Sequence, residues 1–150
     1  MYKKGFSLLE LVLSISIFAI GSIAAGNLLI DANTATRIDL DKTEAVQIAR
    51  EGIEAVTSIR DSGFENLIIS GPHGLTSGGG GYGWVFSAST SDTVDTRFSR
   101  SITITLNPAS SFTSTSTATV VSTVSWTNAR SVTDFVSLTT ILTNWRLPGV

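Results

Sequence analysis

From Phe6 to Ile30 the chain runs for 25 residues with a single charged side chain, Glu10. A helix rises about 1.5 Å per residue and the hydrocarbon layer of a bilayer is about 30 Å thick, so this stretch is expected to be a helix able to span a membrane. Lys3 and Lys4 precede the run and Asp31 follows it. Basic residues favour the cytoplasmic side, which keeps the N-terminus inside and sends everything beyond Asp31 across the membrane. The chain contains no cysteine. Its exported part therefore has to be held by sheet pairing and a packed apolar face rather than by disulfides.

The formal charge is −2, from 10 basic and 12 acidic side chains; without Lys3 and Lys4 it would be eight against twelve. Such a balance provides no broad electrostatic footprint for nucleic acid, although it does not exclude a local arginine patch.

Glu10 separates three readings of the opening segment. A secretory signal has a shorter apolar core than this, although "IAAGN" at Ile23 to Asn27 has the small residues of a cleavage site. A plain anchor explains the length but gives the carboxylate no task, and an acid at the centre of a membrane helix costs about 2.5–3.5 kcal/mol. The third reading supplies a partner. If the chain were cut after Gly5, the new α-amino group of Phe6, with an ordinary pKa of about 7.7–8.0, would be mostly cationic. It would lie four residues from Glu10, on the same helix face. Pairing between chains would then be head-to-tail, and a head-to-tail contact that does not close builds a helical filament. A charge left unpaired in an apolar bundle is strongly penalised, so Glu10 would set subunit register.

These residues carry a resemblance. The stretch "KKGFSLLELVLSISIFAIG" resembles the N-terminal signature of type IV prepilins and pseudopilins. The resemblance implies a leader at residues 1–5 recognised through Lys3 and Lys4. It implies cleavage between Gly5 and Phe6 by a prepilin peptidase, N-methylation of Phe6, and a role for Glu10 in assembly. It also implies a pilin-like α+β fold, a long N-terminal helix on a small antiparallel sheet. The organisation expected is 6–30 for the membrane and assembly half of the helix, 31–60 for its amphipathic half, and 61–150 for the head. The partners implied are copies of the chain and other pilins, the peptidase, an inner-membrane assembly platform, and the membrane before assembly. The location implied is the cytoplasmic membrane, then a surface or periplasmic filament. Many such proteins staple the C-terminal region with a disulfide, which this chain cannot do. "REGIEAV" and "VSLTTILTNW" are similar to minor-pilin sequences.

Past Ile30 helix formers continue to Arg60 without proline. Ile38, Ala45, Gly52 and Ile59 recur at seven, with Ala49 and Val56 beside them, which predicts a helix stripe that docks on a sheet. Gly21 and Gly26 lie in the apolar half, where each lowers helix propensity by about 1 kcal/mol. They suit either close packing between helices or local melting. Arg60 to Gly83 has the glycine, proline and serine content of a long connection, with one short apolar element at Leu67 to Ile69. Its "GGGGYG" is not followed by Lys-Ser or Lys-Thr and is read as a flexible loop rather than a phosphate cradle. His73 is expected to be an exposed loop residue.

Beyond Gly83 the apolar period becomes alternating. Four strands are expected, carrying Trp84, Phe86 and Ala88; Ile102, Ile104 and Leu106; Val120, Val124 and Trp126; and Val136, Leu138 and Leu142. Phe135, Ile141 and Trp145 fall on the opposite face of the fourth, and "TNARS" reads as the hairpin before it. Asn107 to Thr117 reads as a solvated loop, with O-linked glycan as the sharper alternative. Asp92 and Asp95 provide too few oxygens for calcium. No metal, cofactor or catalytic constellation is expected, and the chain is not expected to be an enzyme. The expected function is a structural pilin subunit. The alternatives are a pseudopilin of a type II secretion-like export machine and a membrane-anchored binding module.

Overall fold

The computed structural model describes residues 7–67, 71–78, 83–107 and 116–145. With no proline between Leu8 and Ser62, one helix, α1, runs through all 55 residues. It ends at Gly63, whose N–H donates to the carbonyls of Arg60 and Ile59 at 3.0 and 3.3 Å. The chain forms two compact units, Met1–Asp39 and Leu40–Val150.

In the first unit α1 presents apolar side chains outward all round: Leu8, Leu9 and Phe18 are 80, 78 and 76 % exposed. None of its apolar window is buried within the chain, and by length and composition it can cross a membrane.

In the second unit the C-terminal part of α1 lies on one face of a five-stranded antiparallel sheet. The strands are β1 (Pro72–His73), β4 (Asp92–Val94), β5 (Phe98–Asn107), β6 (Thr117–Thr127) and β7 (Thr133–Thr143). β5, β6 and β7 lie side by side, while β1 and β4 both pair with the free edge of β5. A separate two-stranded sheet joins β2 (Leu75–Ser77) to β3 (Trp84–Phe86). The α+β fold expected from the sequence is the fold observed.

Register accounts for the core. Phe98, Arg100, Ile102, Ile104 and Leu106 of β5 stand opposite Trp126, Val124, Ser122, Val120 and Ala118 of β6. All of these point toward α1, because side chains alternate along a strand. Two apolar clusters result: one around Val56, Ile59, Ile102 and Val120, the other around Ala45, Ala49, Phe98 and Trp126. The stripe of α1 is wider than its sevenfold repeat, since Ile48 and Ala55 are also buried, whereas Ile38 is only half-buried. Small residues in the stripe bring the helix close: a Cβ on Gly52 would stand 2.6 Å from Ser122 Oγ and 3.1 Å from Arg100 Cδ and Ile102 Cδ1.

The hairpin at Trp126 to Val132 forms as expected, with Asn128 Oδ1 accepting from the N–H groups of Arg130 and Val132. Val136 and Leu138 of β7 pack inward and Leu142 is buried, while Phe135, Ile141 and Trp145 are exposed.

Three expectations are corrected. The connection after α1 is not an open loop: a 3₁₀ helix forms at Phe64–Leu67, and β1 and β2 follow, while of the short apolar element expected at Leu67 to Ile69 only Leu67 is described. Ile68 and Ile69 lie outside the described residues. The strand expected through Ala88 stops at Phe86 and pairs with β2 instead of joining the main sheet. Gly74 explains the change, because its N–H donates to Ser89 O while its carbonyl accepts from Ser87 N, turning the chain away. A Cβ there would lie 2.6 Å from the Ser91 carbonyl carbon, so only glycine permits this approach. Finally, His73 is not an exposed loop residue but a half-buried strand residue. Its Nδ1 lies 3.0 Å from Ser87 O, and since a carbonyl only accepts, Nδ1 carries the proton. Residues 79–82 of the glycine run and 108–115 of the hydroxyl-rich loop lie outside the described residues.

Candidate functional site

The residues singled out at the N-terminus divide into two groups. Lys3, Lys4, Gly5 and Phe6 lie outside the described residues. Glu10 is described, in the first turn of α1, and it is exposed. Leu11 N–H donates to Ser7 O at 3.2 Å, the first bond of the helix, which makes Ser7 the N-cap residue and Glu10 the third helical position. Ser-x-x-Glu at these positions is the spacing of a capping box, and a carboxylate there also meets the positive end of the helix dipole.

Behind Glu10 the side chains of Ser14 and Ser16 are satisfied within the helix. Ser14 Oγ donates to Glu10 O and Ser16 Oγ to Val12 O, both at 2.8 Å. Internal bonding of this kind removes the penalty that an unpaired hydroxyl would bring into hydrocarbon. Thr34 and Thr36 bond in the same way to Ile30 O and Ala32 O. The helix is continuous through Gly21 and Gly26, and a Cβ at either would meet no atom within 4 Å. Apolar exposure on this scale marks a surface made for lipid or for other chains.

The head contains a feature that the sequence reading missed. Arg100 is 2 % exposed. Its Nη2 donates to Asp92 Oδ2 at 2.7 Å, Nε reaches Asp92 Oδ1 at 3.4 Å, and Nη1 stands 3.6 Å from Glu51 Oε1 of α1. Asp92 Oδ1 also accepts from Leu75 N–H of β2 at 2.9 Å, and the guanidinium lies 5.5 Å from the centre of the Trp84 ring on β3. One cation thereby ties α1, β2, β3, β4 and β5 together. The signal was present in the alternation: Arg100 shares the parity of Phe98 and Ile102, so extending the strand two residues upstream places it inward.

A second arginine works at the surface. Arg97, in the turn between β4 and β5, bonds Asp41 Oδ1 at 3.0 Å and Glu44 Oε2 at 2.8 Å. The bond to Asp41, supported by the charge of Glu44, raises its pKa further above the ordinary arginine value. Among the described residues no group of three or more His, Asp or Glu is placed to hold a metal ion. Asp92 is engaged by Arg100 and Leu75. The groove between the end of α1 and β3 is lined by Ile59, Ser62, Asn66, Trp84, Val85 and Phe86, and none of these carries a titratable side chain.

A long helix, apolar in its first part and docked on a small antiparallel sheet in its second, defines a pilin-like α+β protein. The comparison with known families adds the N-terminus: residues 1–26 match the model described as the prokaryotic N-terminal methylation motif. The chain therefore carries a prepilin-type methylation motif, consistent with membership of the type IV pilin and pseudopilin family. No curated protein and no solved structure matches it.

Proposed function

We propose that the protein is a structural subunit of a type IV pilus-like filament, held in the cytoplasmic membrane by α1 before assembly. The observation that carries this reading is the continuity of one helix through two environments. Its first part, beginning with the methylation motif, buries nothing within the chain, while its last part is the central element of the head's core. Lys3 and Lys4 lead the peptidase to the Gly5–Phe6 bond, and the new amino group of Phe6 is methylated. Glu10 then meets the cationic N-terminus of a neighbouring copy as subunits leave the membrane. The chain is a substrate of processing enzymes and not itself an enzyme. Its partners are copies of itself, other pilins, the peptidase and the inner-membrane assembly platform. Its final location is an extracytoplasmic filament.

The test is the mass of the N-terminal peptide from protein isolated from its native membrane or from sheared fibres. A peptide beginning at Phe6 with one added methyl group supports the reading. An intact Met1, or a start near Asn27, overturns it and leaves an anchor or a secretory signal. Recovery of the processed chain in sheared surface fibres, rather than in the periplasm alone, separates a pilus from an export pseudopilin.

A further inference from the structure

On the face of the main sheet turned away from α1, hydroxyl side chains form a grid. Phe98, Arg100 and Ile102 point toward the helix, so the alternate residues of β5 point outward, and pairing aligns them with outward residues of β6 and β7. Two of the rungs are Ser101–Thr123–Ser137 and Thr103–Val121–Thr139. Along the three strands every outward side chain is serine or threonine except Asn107, Val121, Phe135 and Ile141. None of them is charged. Asp134 of β7 has the parity of Val136 and Leu138, which pack inward, and it accepts from Asn128 Nδ2 at 2.8 Å. Thr103, Thr105 and Thr139 are exposed, whereas β2 and β3 place Leu75, Trp84 and Phe86 against the core on the α1 side. Strand propensity favours the threonines but does not account for the serines.

The chemistry of this face selects its partner. Nucleic acid and anionic lipid are held by lysine and arginine, which the grid lacks. Interfaces between proteins are depleted in serine and enriched in aromatic residues, methionine and arginine, whereas Phe135 is the one such residue in the grid. A hydroxyl supplies one donor and two acceptor sites on a rotating bond, and it is the same group that a sugar ring presents. Thr123 Oγ1 and Ser137 Oγ stand 2.9 Å apart and either can donate, so a third hydroxyl joins the pair with donors and acceptors matched. The grid repeats at about 4.8 Å between strands and about 7 Å along them, which is the size of a sugar ring. Phe135 and Ile141, 71 and 65 % exposed, stand on the same face and offer apolar surface to the C–H faces of such rings. A ligand with hydroxyls at its rim, C–H groups on its faces and no charge matches all of these features.

We propose that the outward face of β5, β6 and β7 binds a neutral polysaccharide, a chain of hexose rings lying on the hydroxyl grid with one ring against Phe135. The contact needs only the head, leaves α1 and its direction untouched, and stands whether or not the chain is processed after Gly5.

The test sediments the full chain, in detergent micelles, with amorphous cellulose and with chitin, both uncharged and insoluble. Retention on at least one polymer is expected, displaced by the soluble oligosaccharide of that polymer and unchanged as salt is raised, because no ion pair holds it. A Thr103→Val, Thr119→Val, Thr139→Val variant removes three hydroxyls while keeping branched side chains that suit a strand. Phe135→Ala removes the ring from an exposed position and leaves the core alone. With unchanged circular dichroism, each variant is expected to bind more weakly by about tenfold or more, the equivalent of one or two lost hydrogen bonds. Failure of both polymers to retain the parent chain overturns the proposal. Retention that both variants share equally belongs to the apolar half of α1 and overturns it as well, as does retention that salt abolishes. A doubling of mass without polymer that the valine variant loses would give the face to a second copy and likewise overturns the proposal.

Discussion

Gly52 faces the sheet at the closest approach of α1, and replacing it with alanine sets two effects of opposite sign against each other. In a helix interior alanine is favoured over glycine by about 1 kcal/mol. Against that, the new methyl would lie 2.6 Å from Ser122 Oγ and 3.1 Å from Arg100 Cδ and Ile102 Cδ1, all on fully or almost fully buried side chains. Overpacking at such sites costs about 1–3 kcal/mol, and here three neighbours on two residue pairs of the sheet must move at once. Arg100 cannot retreat without loosening Asp92. The clash therefore outweighs the propensity gain, and Gly52→Ala is expected to destabilise the head by about 1–2 kcal/mol, lowering its melting temperature by roughly 4–10 °C. Ser122 provides the internal control. Its Oγ is buried without a hydrogen-bond partner among the described residues, so Ser122→Ala alone is expected to be neutral or stabilising. In the Gly52→Ala background it removes the nearest obstacle and should recover about 1 kcal/mol, a coupling that a double-mutant cycle reads directly. Thermal unfolding of the full chain in micelles, followed by tryptophan fluorescence, measures all four proteins. A Gly52→Ala protein as stable as the parent, or the absence of coupling to Ser122, would refute the close approach.

Three further outcomes follow from the geometry. Arg100→Ala removes one partner of a buried ion pair and leaves Asp92 without its cation, so it should destabilise the head by about 3 kcal/mol. In the same variant the Leu75 amide should exchange with deuterium faster, because its acceptor Asp92 is no longer held. Arg97→Ala breaks two surface pairs and should cost far less than Arg100→Ala, with the difference from the parent shrinking as salt is added. If Arg97 mattered as much as Arg100, the contrast between buried and exposed pairing would be wrong. Glu10→Ala should leave membrane insertion intact or improved while impairing incorporation into fibres, measured by fractionation of membranes and sheared filaments. Normal incorporation would remove the register argument.

The parts of this protein legible in its sequence are those whose signal is local. α1 was readable over nearly its full length because the absence of proline and the recurrence of Ala45, Gly52 and Ile59 are properties of the chain next to itself. β5, β6 and β7 were readable from alternation, and the burial of Val120, Val124 and Leu142 follows their parity. β1 and β2 were not readable. Pro72 to Ser77 has the composition of a loop, and it becomes strand by pairing with Trp84 to Phe86 and with Ile102 and Thr103, which side-chain pattern does not report. His73 was misplaced with it.

By itself the sequence determined that a 25-residue apolar stretch with one acid opens the chain, behind a motif read from contiguous residues, and that a two-sided helix and alternating strands follow. Periodicity and short motifs are set within one or two helical turns, so no tertiary information is needed. Only the tertiary structure decided that Arg100 is a buried cation, because its meaning depends on Glu51, Asp92, Leu75 and Trp84 converging from four other elements. It alone decided that Gly52 is a contact rather than a gap in the stripe, and that β1 and β4 both pair with β5. These are questions of distance between segments remote in the chain, and a charge or a glycine acquires its role only from what the fold places against it.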